Sequence, residues 1–274
     1  MKLKGIIVLL AFALMQVSCA SYFDTIMKSH DVDVKYKAAH TYFNEGKYKK
    51  AADVFDNLNL LVQGLPMEDT VNFYHGLSNY RYGDFQTAEA ALAKFIEIYP
   101  RSAFTEEARY LRIDCLYKET LRYELDQTPT RKAMTVISEF MYDNPGSNYY
   151  PVCQEMMKDL MERLERKSFE SAKLYYTMED YKAARYALKN VLKDNSENQY
   201  REDVLYYVAM SAYKYAYNSI PEKQKERYLD FMDDYYNFVG EYPESKYRRE
   251  LDNLFSKVEH FTAKTEKKNS EDIK

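Results

Sequence analysis

Residues 36–55 read YKAAHTYFNEGKYKKAADVF, residues 73–92 read FYHGLSNYRYGDFQTAEAAL, and residues 169–188 read FESAKLYYTMEDYKAARYAL. Laid in register, the three share one skeleton. A small residue (Ala39, Gly76, Ala172) is followed seven positions on by Gly46, Gly83 or Glu179. Then come an aromatic (Tyr48, Phe85, Tyr181), an alanine (Ala51, Ala88, Ala184) and a large apolar residue (Phe55, Leu92, Leu188). The first two copies keep a constant offset of 37 residues. Each position has a physical reason. Small side chains let two helices approach closely, and a glycine ends the first helix because it enters the left-handed region at little cost. The aromatic and alanine then open a second helix that folds back on the first. Phe85, Ala88, Leu92, Phe95, Ile96 and Tyr99 recur at three- and four-residue steps, the spacing of one helix face. Most of the aromatic rings therefore read as core.

This unit resembles the tetratricopeptide repeat, two antiparallel helices over about 34 residues. A second motif closes the units: Tyr99-Pro100-Arg101-Ser102-Ala103-Phe104, Asn144-Pro145-Gly146-Ser147-Asn148-Tyr149 and Tyr242-Pro243-Glu244-Ser245-Lys246-Tyr247 share Pro-x-Ser-x-aromatic. Proline stops one helix, and serine can cap the next by accepting from a backbone N–H. The expected fold is all-α: a right-handed superhelical solenoid of five helix pairs at about 32–66, 69–100, 103–145, 150–195 and 201–243. The third is expanded near Arg122–Thr130 and the fifth near Asn218–Lys225. A capping helix is expected at 245–262, and a polar, disordered tail at 263–274.

Composition agrees with that reading. The chain of 274 residues has 29 Tyr, 14 Phe and no Trp, but only 7 Gly and 7 Pro. Gly and Pro together normally approach 12% of a chain, so few turn-formers cannot punctuate the many short strands of a sandwich or barrel. A formal net charge of −4 argues against nucleic acid as a partner, which asks for a basic surface.

The first residues predict the compartment. Lys2 and Lys4 precede the apolar run GIIVLLAFALM at residues 5–15, too short to span a bilayer, and Ser18-Cys19-Ala20 follows. This resembles a bacterial lipoprotein signal: residues 1–18 are expected to be cleaved, Cys19 to carry the lipid, and residues 19–31 to form a tether. The residues after Cys19, ASYFD, contain no acidic cluster, and Ala20 stands where many inner-membrane lipoproteins carry Asp. The expectation is an outer-membrane, lipid-anchored protein facing the periplasm. Cys115 and Cys153 fall within helical patterns and read as buried free thiols.

A lipoprotein signal, about five such repeats and the Pro-x-Ser-x-aromatic closures are together similar to the BamD family of outer-membrane β-barrel assembly lipoproteins, over nearly all of the mature chain. The resemblance implies a scaffold on the inner leaflet of the outer membrane. It would bind a barrel insertase of the BamA type through the insertase's periplasmic domains, and unfolded outer-membrane proteins. Another periplasmic repeat lipoprotein, serving as an adaptor in envelope or cell-division machinery, is the alternative.

Catalytic signatures are missing from the sequence. The glycines at 5, 46, 64, 76, 83, 146 and 240 allow no phosphate loop. His30, His40, His75 and His260 are scattered, and neither Cys-x-x-Cys nor His-Glu-x-x-His occurs. No catalytic or metal-ligating residue and no cofactor beyond the lipid on Cys19 is expected; a motif-free enzyme would show turnover lost on mutating a single acid. In the repeat family the first helix of each unit lines the concave face. Indexed from the glycine, the residues there are Tyr36, His40, Phe43 and Asn44, then Phe73, Leu77, Tyr80 and Arg81, then Phe169, Lys173 and Tyr176. Rings beside polar groups suit an extended peptide, and Arg81 suits a terminal carboxylate.

Overall fold

The computed structural model describes residues 22–271, with side-chain surroundings as far as residue 264. Every regular element among these residues is helical, and no strand occurs among them. The chain divides into two units. One holds the chain up to Leu121 with Asp126–Met157; the other holds Arg122–Leu125 and the chain from Lys158.

The first unit contains α1 (22–28), α2 (Val32–Asn44), α3 (Tyr48–Asn59), α4 (Glu68–Tyr82), α5 (Phe85–Ile98), α6 (Thr105–Lys118) and α7 (Thr128–Asp143). From α2 to α7 each helix packs on the next, and α4 also meets α6. The turn between α4 and α5 shows how sequence becomes structure. Gly83 takes φ 92°, the N–H groups of Gly83 and Asp84 both donate to the Asn79 carbonyl, and α4 stops there. Asp84 then caps α5 by accepting from the N–H of Thr87 at 3.1 Å. Further along, a Cβ on Gly76 would lie 2.8 Å from Leu92 Cδ2, so the contact between these helices exists because the side chain is missing. Phe73, Ala88, Leu92, Phe95, Ala108, Leu111 and Cys115 fill the core around it.

The second unit takes the later part of α8 (Tyr150–Thr177), then α9 (Tyr181–Asp194), α10 (Arg201–Tyr217), α11 (Pro221–Glu241) and α12 (Arg248–Glu271). Here Glu179 stands in the glycine's place with φ 63°, a conformation that costs a non-glycine residue roughly 1–2 kcal/mol. Asp180 caps α9 as Asp84 caps α5. Phe169, Ala172, Ala184, Leu188, Val191, Val204 and Val208 form one core cluster; Tyr228, Phe231, Tyr235 and Phe238 lie in a second one.

The closures work through rings as well as caps. In the first unit, Ser102 Oγ accepts from the N–H of Phe104 and donates to Asp69 at 2.7 Å. Ser147 does the same with the N–H of Tyr149 and with Glu106. The closing ring then lies flat on an aromatic of the first helix: Phe104 on Phe73 (4.6 Å, 9°) and Tyr149 on Tyr110 (4.2 Å, 7°). In the second unit, Tyr247 lies on Tyr206 (3.9 Å, 13°), its N–H held by Ser245. A further closure, absent from the sequence motif, is Asn195-Ser196-Glu197-Asn198-Gln199-Tyr200. Asn198 Oδ1 takes the serine's role, accepting from the N–H of Tyr200 at 2.8 Å, and Tyr200 lies on Phe169 (5.3 Å, 7°).

Several boundaries differ from the sequence reading. Residues 22–28, expected within a tether, form a helix whose Ile26 is 3% exposed, packed with Phe23 and Met27 into the core of the first repeat. Residues 263–271, expected to be disordered, continue α12; their Ala, Lys and Glu sustain a helix on propensity. The expansion of the fifth repeat lengthens α11 to 21 residues instead of lengthening a loop. That of the third is a loop between α6 and α7, with Pro129 in the first turn of α7. The signal segment and Cys19 lie outside the described residues.

Candidate binding face

Tyr36, His40 and Phe43 stand one turn apart along α2, all half-buried, with Asn44 exposed at its end. Their rings meet neighbours edge-on. His40 lies 4.5 Å from Tyr36, 4.6 Å from Tyr74 and 5.1 Å from Phe55; Phe43 lies 5.2 Å from Tyr74 and 5.4 Å from Tyr48. Burial among these rings lowers the basicity of His40, and its buried Nε2 has no hydrogen-bond partner. The imidazole is thus held neutral with one polar atom unused. Tyr74, which joins the two first helices of this cluster, was not singled out in the sequence because it adjoins the indexed Phe73.

On α4 the indexed residues divide. Phe73 (2% exposed) and Leu77 (7%) belong to the core, which corrects their placement on the binding face. Phe104, arriving from the closure 31 residues later, covers Phe73. Tyr80 is half-buried and Arg81 exposed. The Tyr80 hydroxyl donates to the buried Asp114, which also receives the Lys118 ammonium. That ammonium lies 5.2 Å over the Tyr80 ring and 5.5 Å over Phe85. Burial, then the hydrogen bond to Asp114, pushes the Tyr80 hydroxyl far above its ordinary value, so it stays a donor. Asp114 and Lys118 are the residues missed here. On sequence they read as an i,i+4 pair on a solvated face; in the structure they form a buried acid with its cation at the surface.

In the second unit Phe169 is core (4% exposed) under Tyr200, a second correction of the same kind. Lys173 is half-buried with its ammonium 5.3 Å over both Phe169 and Tyr207, near Glu170 at 3.6 Å. Tyr176 packs edge-on against Tyr181 and Tyr207, and burial with those two phenols pushes its hydroxyl up to about 12.

Chemically, the described residues of this face are rings, amides and cations, with no activated nucleophile among them. Cys115 and Cys153 are free and fully buried, and burial pushes their thiols up to about 12 and about 11. Such thiols are poor nucleophiles at neutral pH. Among the described residues no three His, Cys, Asp or Glu side chains are grouped to hold a metal. A cavity of about 180 Å³ between α5, α6 and α7 has Arg109 and Arg112 at its wall, paired with Asp143 and Glu89.

Residues 28–226 match the model of the family described as YfiO, outer membrane lipoprotein. The chain belongs to the YfiO family. The match takes in α2 to α10, the start of α11 and all the indexed face residues. A search of curated proteins returned no match. No helix among the described residues of this YfiO-family chain is long and apolar enough to cross a membrane.

Proposed function

We propose that this YfiO-family chain is a BamD-type, non-enzymatic scaffold of outer-membrane β-barrel assembly, lipid-anchored through Cys19 and facing the periplasm. It would join a BamA-type insertase through the insertase's periplasmic domains and receive unfolded outer-membrane proteins. The family match over residues 28–226 carries this reading. The helix-pair architecture and the half-open ring row of α2 and α4 support it: Tyr36, His40, Phe43 and Tyr80 offer area at low entropy cost. Asn44 and Arg81 add polar groups at the ends of the same helices. In the second unit Lys173 and Tyr176 offer a similar pairing of cation and ring.

A cross-linked pull-down of the lipoprotein from its own membrane should retain a large outer-membrane barrel protein, and depletion should lower many barrels together. Unchanged barrel levels contradict the proposal. A different partner with a narrow envelope or division phenotype supports an adaptor role instead. Cys19→Ala should move the chain to the soluble fraction; retention in the membrane contradicts the anchor.

A further inference from the structure

Among the described residues, the element packed on the first helix of the first repeat from its N-terminal side is α1, two turns long. It buries Ile26 against α2 and α3 and leaves the rest of the α2 face open. The result is a groove of about 410 Å³ bounded by α1, α2 and α3. Its apolar parts are Tyr22 (59% exposed), Val34 and Tyr42; its charged rim is Lys37, Lys47 and Lys50 against the single acid Glu45. Two of the lysines are tied to rings: Lys50 stands 5.4 Å over Phe23 and 5.8 Å over Tyr42, and Lys47 stands 6.0 Å over Tyr42. Lys47 also pairs with Glu45 at 2.7 Å, so Lys37 and Lys50 carry the rim's excess charge. In a chain of net charge −4 this rim is locally positive.

We infer that this groove seats on the anionic headgroups of the membrane that holds the anchor, so that the lipid tethers the chain and the lysine rim orients its first repeat. The inference rests on the anchor at Cys19. Tyr22 is three residues from Cys19, at most about 11 Å of extended chain. That reach is comparable with the Debye length of roughly 8–10 Å at ordinary ionic strength, so Tyr22, at one end of the groove, is held at the edge of the leaflet's field. Exposed Tyr22 is of the type that settles at a headgroup boundary. The lysine stems can lie along the rings while their ammonium groups meet phosphates. Each lysine near an anionic surface is worth about fivefold in membrane partitioning.

The test uses the lipid-anchored full chain, reconstituted in vesicles of phosphatidylcholine alone or mixed with phosphatidylglycerol. Amine-reactive labelling is read at each lysine by mass spectrometry, and flotation checks attachment. Lys37, Lys47 and Lys50 should label several-fold more slowly on the anionic vesicles, with the difference erased in about 1 M salt, where the Debye length falls to roughly 3 Å. Lys94 and Lys132, exposed on α5 and α7, should label alike on both. Charge reversal at Lys37 and Lys50 should abolish the protection of Lys47; Lys37→Glu alone, at an exposed position, should weaken it without threatening the fold. Equal labelling of a chain that floats with both vesicles overturns the orienting role and leaves the anchor standing. A chain that floats with neither overturns both. Protection that needs an added acidic protein instead of anionic lipid overturns the choice of a membrane as the occupant.

Discussion

Tyr36 and Phe73 hold the same place in successive repeats, 37 residues apart, and have opposite fates. Phe73 lies under Phe104 in a flat stack and is 2% exposed; Tyr36 stays half-open with only edge contacts. The closure 31 residues further on explains the difference. Where the second repeat has Phe104, the first has Met67, packed into the core cluster that Tyr36 flanks. Phe169 and Tyr206, covered by Tyr200 and Tyr247, are buried as Phe73 is; Tyr110, stacked flat under Tyr149, stays half-buried. The first repeat therefore keeps an open ring because its closure lacks one.

That comparison can be broken most forcefully by truncation. Phe73→Ala should cost about 3–5 kcal/mol, whereas Tyr36→Ala should cost about 1 kcal/mol and show its effect in partner binding. Urea titrations of both variants measure this; equal losses would mean that the two positions are equivalent. Gly76→Ala comes next. A methyl 2.8 Å from Leu92 Cδ2 must displace a core side chain, at about 1–3 kcal/mol, while Gly146→Ala, with open space around its Cβ, should stay within about 0.5 kcal/mol. Met67→Phe sharpens the comparison from the other side. A ring closing over Tyr36 should add about 0.5–1.5 kcal/mol and reduce peptide capture at that position; gain in stability with unchanged capture would detach Tyr36 from binding.

The smallest effect is in pH. The folded-state basicity of His40 and of His75 is lowered, in both by burial first, with Asp56 partly opposing it at His75. The unfolded chain takes up these protons near the ordinary histidine value of 6.5 while the folded chain resists them. Stability is therefore complete above that value and is lost as pH falls below it. Urea midpoints measured from pH 7.5 downward should drop through this window, and His40→Phe should flatten the drop. An unchanged slope in that variant would show that the unpartnered Nε2 carries no linkage.

The helix pairs were legible from Gly83, Gly76 and the Ala88–Leu92–Phe95 stripe because those signals are local: a left-handed cap, a close approach and a helical period. The division of the face was not legible, since burial of Phe73 and Phe169 depends on Phe104 and Tyr200, residues a whole repeat away. The Asn195–Tyr200 closure escaped because Asn198 performs the serine's acceptor chemistry with a different side chain. Asp114 escaped because an acid four residues before a lysine looks the same on a solvated helix and over a core. Helix α1 is too short to show a period, and its place is set by Ile26 reaching the core of another pair.

Under the proposed function, the open row of the first repeat receives unfolded barrel chains in the native envelope. Photo-cross-linking from Tyr36, with Ile98 on the exposed surface of α5 as reference, tests it most directly. The account predicts that a photoreactive residue at 36 captures newly exported outer-membrane barrel proteins and that one at 98 does not. Capture from 98 alone, or no barrel protein captured from 36, would contradict it.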